Sequence, residues 1–243
     1  MIIFYSCSLL NLDYFRTMIL GEINLWGLVI REPGTIISDF IMGFFCIAFF
    51  VKLLTNSDFK QQEYFAQLFL LLGLSSFVAA FAHGLHYYFG IYLHKISWLL
   101  AGFATYFLEL GSTLLFNNEK FKSKFIIFIK LQLTIYILLL FFYEGFIIVK
   151  INFVVSLIGI LTPIYIVDMV KNQVKHNLYL FFGIFLAIFP SIFHNTEFNF
   201  LYIFNMNDLS HFFLILCLFF VFLGLNARFF KSEDVIPKGL LSK

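Results

Sequence analysis

The chain has 243 residues, 61% of them hydrophobic and only 12% charged. A soluble domain carries roughly 25% charged residues, so the composition excludes a soluble globular protein and leaves no polar stretch of these residues for a separate aqueous domain. The formal net charge of +2, with no basic cluster interleaved with aromatics, is too small to point to nucleic acid as a partner.

Taken in order, residues 1–34 read as a leader or interfacial segment. MIIFYSCSLL lacks the basic start of a signal peptide and is followed by no small-residue cleavage site. Met18 is an alternative start. Trp26 suits a membrane interface, and Glu32-Pro33 breaks any helix before the first span. Seven apolar runs of spanning or near-spanning length follow: Thr35–Leu54, Tyr64–Phe89, Ile96–Phe116, Phe125–Phe142, Phe146–Val167, Leu178–Phe193 and Leu209–Leu225. Only Tyr143–Gly145 separates the fourth from the fifth. Residues 35–226 are therefore expected to form an all-α, seven-helix transmembrane domain, and 227–243 a tail. The cysteines Cys7, Cys46 and Cys217 are scattered without a CxxC pair, which argues for small buried hydrophobes and against a disulfide framework or a Cys-based zinc site.

Loop charge sets the expected orientation. With seven spans, Arg16, Arg31, Lys95 and Lys150 share one side, and the other twelve of the sixteen Lys and Arg residues share the opposite side with the C-terminus. Positive charge is retained in the cytoplasm, so the N-terminus is expected outside and the tail inside, in a bacterial inner membrane.

Within the second run, Ser75, Ser76, His83 and His86 interrupt an apolar sequence. On a helix Ser76 and His83 project about 20° apart, and His83 and His86 about 60° apart. Unpaired polar groups in lipid cost several kcal/mol each, so this stripe needs partners. The expected topology brings Asn207, Asp208 and His211, at the start of the last run, and Ser38 and Asp39, in the first, to the same outer layer. Glu109 and Asp168 lie near the inner ends of their runs. Neutral imidazole is a favoured zinc ligand, and catalytic zinc takes three protein ligands plus water. Two histidines and an Asp meet that count, with a spare carboxylate as ligand-orienting group or base. Plainer roles exist as well. The histidines can bond between helices, Asp208 can cap the last helix, Asp39 can sit as a first-turn acid, and the small residues around Ser76 can serve close packing. His94, His194, Glu144 and Glu197 read as solvated span-end or loop residues.

Seven helices, a Ser/His stripe in the second and a His near the start of the seventh resemble the superfamily of alkaline ceramidases and progestin/adiponectin-type receptors. EPGTIISD and NMNDLSHFF further resemble an uncharacterised bacterial membrane-protein family near that superfamily. The pattern departs at Ala79, where the family has Ser, and at Asn207 and Ile215, either of which would be the second His; the third run has Glu109 and no Asp. The resemblance implies a zinc-dependent hydrolase of membrane lipid amides or esters. His83 and His211 would be ligands, Asp208 the third ligand or base, and Ser76 a catalytic hydroxyl, supported by His86, Asp39 and Asn207. The alternative is a non-enzymatic receptor, sensor or small-solute carrier with a polar, metal-free pocket. A reporter active only outside the cytoplasm is expected to be silent after Lys243 and active within residues 197–205. The reverse pattern would show that loop charge does not set the orientation.

Overall fold

The computed structural model describes residues 21–55, 60–172, 177–193 and 206–230. The leader before residue 21, His194, Glu197 and residues 231–243 of the tail lie outside them. Apart from one short hairpin the described chain is helical, and six helices are long and apolar enough to cross a membrane.

The hairpin pairs β1 (Ile23–Leu25) with β2 (Leu28–Ile30), Ile23 opposite Ile30. Its two turn residues, Trp26 and Gly27, both have positive φ (51° and 86°), the turn twist that suits a tight hairpin. Asn24 Oδ1 accepts the Gly27 N–H at 2.9 Å. Trp26 is fully exposed at the tip. The Arg31 N–H donates to the Gly84 carbonyl (3.2 Å) and the Val29 N–H to the Tyr88 hydroxyl (3.0 Å), so the hairpin docks where the second long helix ends.

Helix α1 spans Pro33–Leu54, with Pro33 in the first turn, where its missing N–H costs no helical bond. Next come α2 (Lys60–Gly84), the short α3 (His86–Phe89) and α4 (Tyr92–Ser112), which tightens into a 3-10 turn over Thr113–Leu115. Helix α5 (Glu119–Phe142) is capped by Asn118, which accepts the Phe121 N–H. Helix α6 (Ile147–Val154) passes through a π-helical stretch, Val155–Leu161, into α7 (Thr162–Asn172). Pro163 explains the widened stretch: it has no N–H, and its ring would clash with the Gly159 carbonyl in a regular α-helix. Helices α8 (Asn177–Leu186), α9 (Ile188–Phe193) and α10 (Met206–Phe230) complete the fold.

Two apolar runs break where the sequence reading had continuous helices. The second is interrupted at Leu85, because the Gly84 carbonyl turns to Arg31, and the chain turns again at Gly90 with φ 53°. His86 therefore lies on α3, not on the helix that carries His83. The sixth breaks at Ala187, since Pro190 lacks the N–H that the Leu186 carbonyl would accept.

Contacts fix relative direction. Helix α10 runs parallel to α1, with His211 beside Ser38 at one end and Phe222 stacked on Phe49 (4.3 Å between ring centres) further along. The α8–α9 pair runs antiparallel to α10, with Leu180 near Gly224 and Phe189 stacked on Phe213 (4.9 Å). The main core gathers Phe49, Phe65, Phe69, Leu108, Tyr165 and Leu225, with the free thiols of Cys46 and Cys217 buried in it. Large side chains such as Phe44 and Phe141 face outward, as lipid-facing residues do.

Helices α1 and α2 approach closely at Gly43 and Gly73. A Cβ on Gly43 would stand 2.6 Å from the Phe77 ring, and one on Gly73 3.2 Å from the Gly43 carbonyl. Gly43→Ala is expected to lower stability by about 1–3 kcal/mol in thermal unfolding of detergent-purified protein. Gly159→Ala, with no atom within 4 Å of the added carbon, is expected to be neutral.

Candidate functional site

The polar layer sits where α1, α2 and α10 meet beneath the hairpin. Glu32 has a left-handed backbone (φ 50°) immediately before Pro33, a conformation that costs a non-glycine residue of order 1–3 kcal/mol. That geometry sets its carboxylate against α2 and α10: Oε2 lies 2.9 Å from His83 Nδ1 and accepts from Asn207 Nδ2 at 3.2 Å. A second pairing joins α1 to α10. Ser38 Oγ lies 2.8 Å from His211 Nδ1, and Asp39 Oδ1 lies 3.6 Å from the same nitrogen.

These contacts assign the ring protons. The Ser38 hydroxyl gives its one hydrogen to the Thr35 carbonyl (3.0 Å), so its oxygen accepts from His211 and Nδ1 of that ring carries the hydrogen. The Glu32 carboxylate only accepts when ionised, so His83 also donates through Nδ1. Burial alone would raise the Glu32 carboxyl. The bond and charge of His83, the Asn207 amide and the Arg31 guanidinium outweigh burial and hold the group at about 2.

Other groups crowd the same layer. The His83 ring meets His94 edge-on at 4.7 Å and lies 6.4 Å from His211; His94 also packs on His86 (5.5 Å) and Trp98 (5.9 Å). Asp208, buried in the first turn of α10, interacts electrostatically with His83 and Asp39. Asp39 is 1% exposed, and its Oδ2 accepts no hydrogen bond among the described residues.

Of the residues singled out in the sequence, His83, His211, Asp39, Asp208 and Asn207 come together. Ser76 does not join them, because its hydroxyl returns to the Leu72 carbonyl one turn back. Among the described residues His86 meets the layer at the His94 ring. The sequence reading missed two participants. Glu32 read only as part of a helix break, and His94 as a solvated span end. The available signal for Glu32 was an acid directly before the proline that opens a span. For His94 it was the short link that folds the start of α4 back over the end of α2.

Catalytic zinc requires three protein ligands. Among the described residues no group of three His, Cys, Asp or Glu is gathered so as to hold a metal ion.

A family model described as a family of unknown function (DUF6962) matches residues 34–228. The chain belongs to this family. No curated protein and no solved structure matches the chain. The family's description carries no activity, and the match makes no link to the ceramidase and progestin/adiponectin receptor superfamily. The matched region opens just after Glu32, so it contains every member of the layer on α1, α2, α4 and α10 but not the carboxylate that pairs with His83.

A carboxyl held below its ordinary value stabilises the fold above the unfolded-state value, and that stability is lost as pH falls through the folded-state value. For Glu32 the window runs from 4.5 down to about 2. Wild-type protein is expected to lose stability across it, and Glu32→Gln to be less stable at pH 7 by a few kcal/mol at most and flatter across that window. Unfolding midpoints measured against pH check both.

Proposed function

We propose that the protein is a metal-free membrane receptor or carrier whose outer layer recognises a small solute through N–H donors, such as an ammonium group. One observation carries this reading: the buried Asp39 Oδ2 lacks a hydrogen-bond donor in a layer that also holds Glu32 and Asp208. Ionisable residues at membrane depth are costly and ordinarily mark a solute or ion site, and an excess of carboxylates favours a cationic donor. The finer topology belongs to the same proposal. The parallel run of α1 and α10, with α8–α9 antiparallel alongside, supports seven crossings, and the loop charges support an external N-terminus.

The metal-dependent hydrolase of membrane lipids is the second reading. Both imidazoles donate through Nδ1 to protein oxygens, the arrangement that holds histidines whose Nε2 binds a metal. It requires a third ligand to close in, with Asp208 the candidate.

Two measurements separate the readings. Protein purified without chelators is expected to contain no stoichiometric zinc. Methylammonium is expected to raise the unfolding midpoint of wild-type protein but not of Asp39→Asn. One zinc per chain, lost in both His83→Ala and His211→Ala and accompanied by hydrolysis of a lipid amide, would replace the receptor reading with the hydrolase.

A further inference from the structure

A second polar centre lies deeper in the bundle, on helices that the outer layer barely uses. Glu109 on α4 is 1% exposed. It lies between the Tyr136–Trp98 hydrogen bond on one side and the Ser112–Tyr165 hydrogen bond on the other. Gln132 on α5 donates from Nε2 to Glu109 Oε1 (3.0 Å) and to Asn152 Oδ1 on α6 (3.2 Å). Gln132 Oε1 is buried and accepts nothing among the described residues. Ser156, fully buried in the π-helical stretch, sits beside the Glu109 carboxylate, yet its Oγ makes no hydrogen bond of ordinary geometry. Glu109, Gln132 and Asn152 line a narrow cleft together with Thr105 and Tyr106.

The chemistry of this set is one-sided. Glu109, Gln132, Asn152 and Ser156 bring five oxygens together along these contacts; both N–H groups of Gln132 are already engaged, and the Ser156 hydroxyl stands beside the carboxylate as a donor. No basic side chain pairs with Glu109 among the described residues. A buried carboxylate without a cationic partner must take up a proton or a cation. A proton would engage one oxygen and leave the others without a donor; a cation coordinates several at once, as hard ions do with carboxylate, amide and hydroxyl oxygens. Charge and size then narrow the choice. One carboxylate balances one positive charge, so a divalent ion would leave net charge inside the membrane. The cleft is too tight to admit even a water-sized sphere, far short of the roughly 300 Å3 of a small-molecule pocket, which leaves a bare ion and not an organic solute. The π-helical stretch adds a reason for the place, since such widened turns recur where a helix supplies a functional group.

We infer that Glu109, Gln132, Asn152 and Ser156 form a binding site for one dehydrated monovalent cation. The test uses full-length protein in detergent at pH 8, with Na+ as the probe and choline as the control at equal ionic strength. The unfolding midpoint is expected to climb with each tenfold rise in Na+ and to stay level in choline. Ser156→Ala is expected to move the response to at least tenfold higher Na+, and Glu109→Gln to remove it. Asp39→Asn, in the outer layer, is expected to keep it, so this site and the solute reading succeed or fail separately. Equilibrium binding of radioactive Na+ at one ion per chain, weakened in Ser156→Ala, decides the matter should Glu109→Gln not fold. Equal midpoints in Na+ and choline overturn the inference, as does a Na+ response retained in Glu109→Gln. A midpoint that follows pH and ignores Na+ also overturns it, making Glu109 a proton site.

Discussion

The contact between Glu32 and His83 ties the hairpin and the start of α1 to the end of α2. Glu32 closes the hairpin and opens α1, and His83 sits one residue before the end of α2. The same carboxylate accepts from Asn207, which brings in α10. The bond between Arg31 and Gly84 lies directly alongside and satisfies a helix-end carbonyl that would otherwise be orphaned. The left-handed backbone of Glu32 is intelligible in these terms. A conformation costing of order 1–3 kcal/mol persists because it delivers one carboxylate to two helices, and a charge-assisted bond away from bulk water is worth about that much.

The apolar architecture was legible because membrane insertion leaves little freedom: a run long enough to span lipid must satisfy its backbone internally as a helix. Six of the seven runs correspond to long helices, and the sixth failed to form one because of a single proline at its far end. The convergence of His83, Asp39, Asp208 and His211 was also legible, from the directions in which their helices run. The departures came from groups whose role depends on local backbone. Helical projection placed His86 on the face of His83, but the Gly84 carbonyl turns away to Arg31 and the helix stops. Nothing in the periodicity of Glu32 or His94 marks them as members of the layer, since both lie at ends where periodicity carries no information. Ser76 illustrates the opposite failure. Its projection was right, but a serine inside a helix can bond its own preceding turn, and here it does.

The two polar centres differ in kind. The layer beneath the hairpin is dominated by charged and imidazole groups, several of them paired with one another, so a ligand there joins an existing network. The deep cleft has one carboxylate among neutral oxygens, two of which, on Gln132 and Ser156, lack donors. Such a set favours a small cation, because unsatisfied acceptors are costly when buried and a bare ion relieves several at once.

Distance decides whether these centres should be treated as one system. His94, in the layer beneath the hairpin, and Glu109 lie on the same uninterrupted helix α4, fifteen residues apart, which corresponds to about 22 Å. At an effective dielectric of about 20, two unit charges at that separation interact by roughly 0.8 kcal/mol. Direct electrostatics is therefore too weak to make occupancy of one centre control the other. Strong coupling would require α4 itself to adopt two positions, with both sites biasing the choice. The neighbour best suited to permit such a shift is the α6–α7 span, where the π-helical stretch already departs from regular hydrogen bonding at Ser156, next to Glu109. In its absence, substitutions in the two centres should act additively, and each centre answers for its own chemistry.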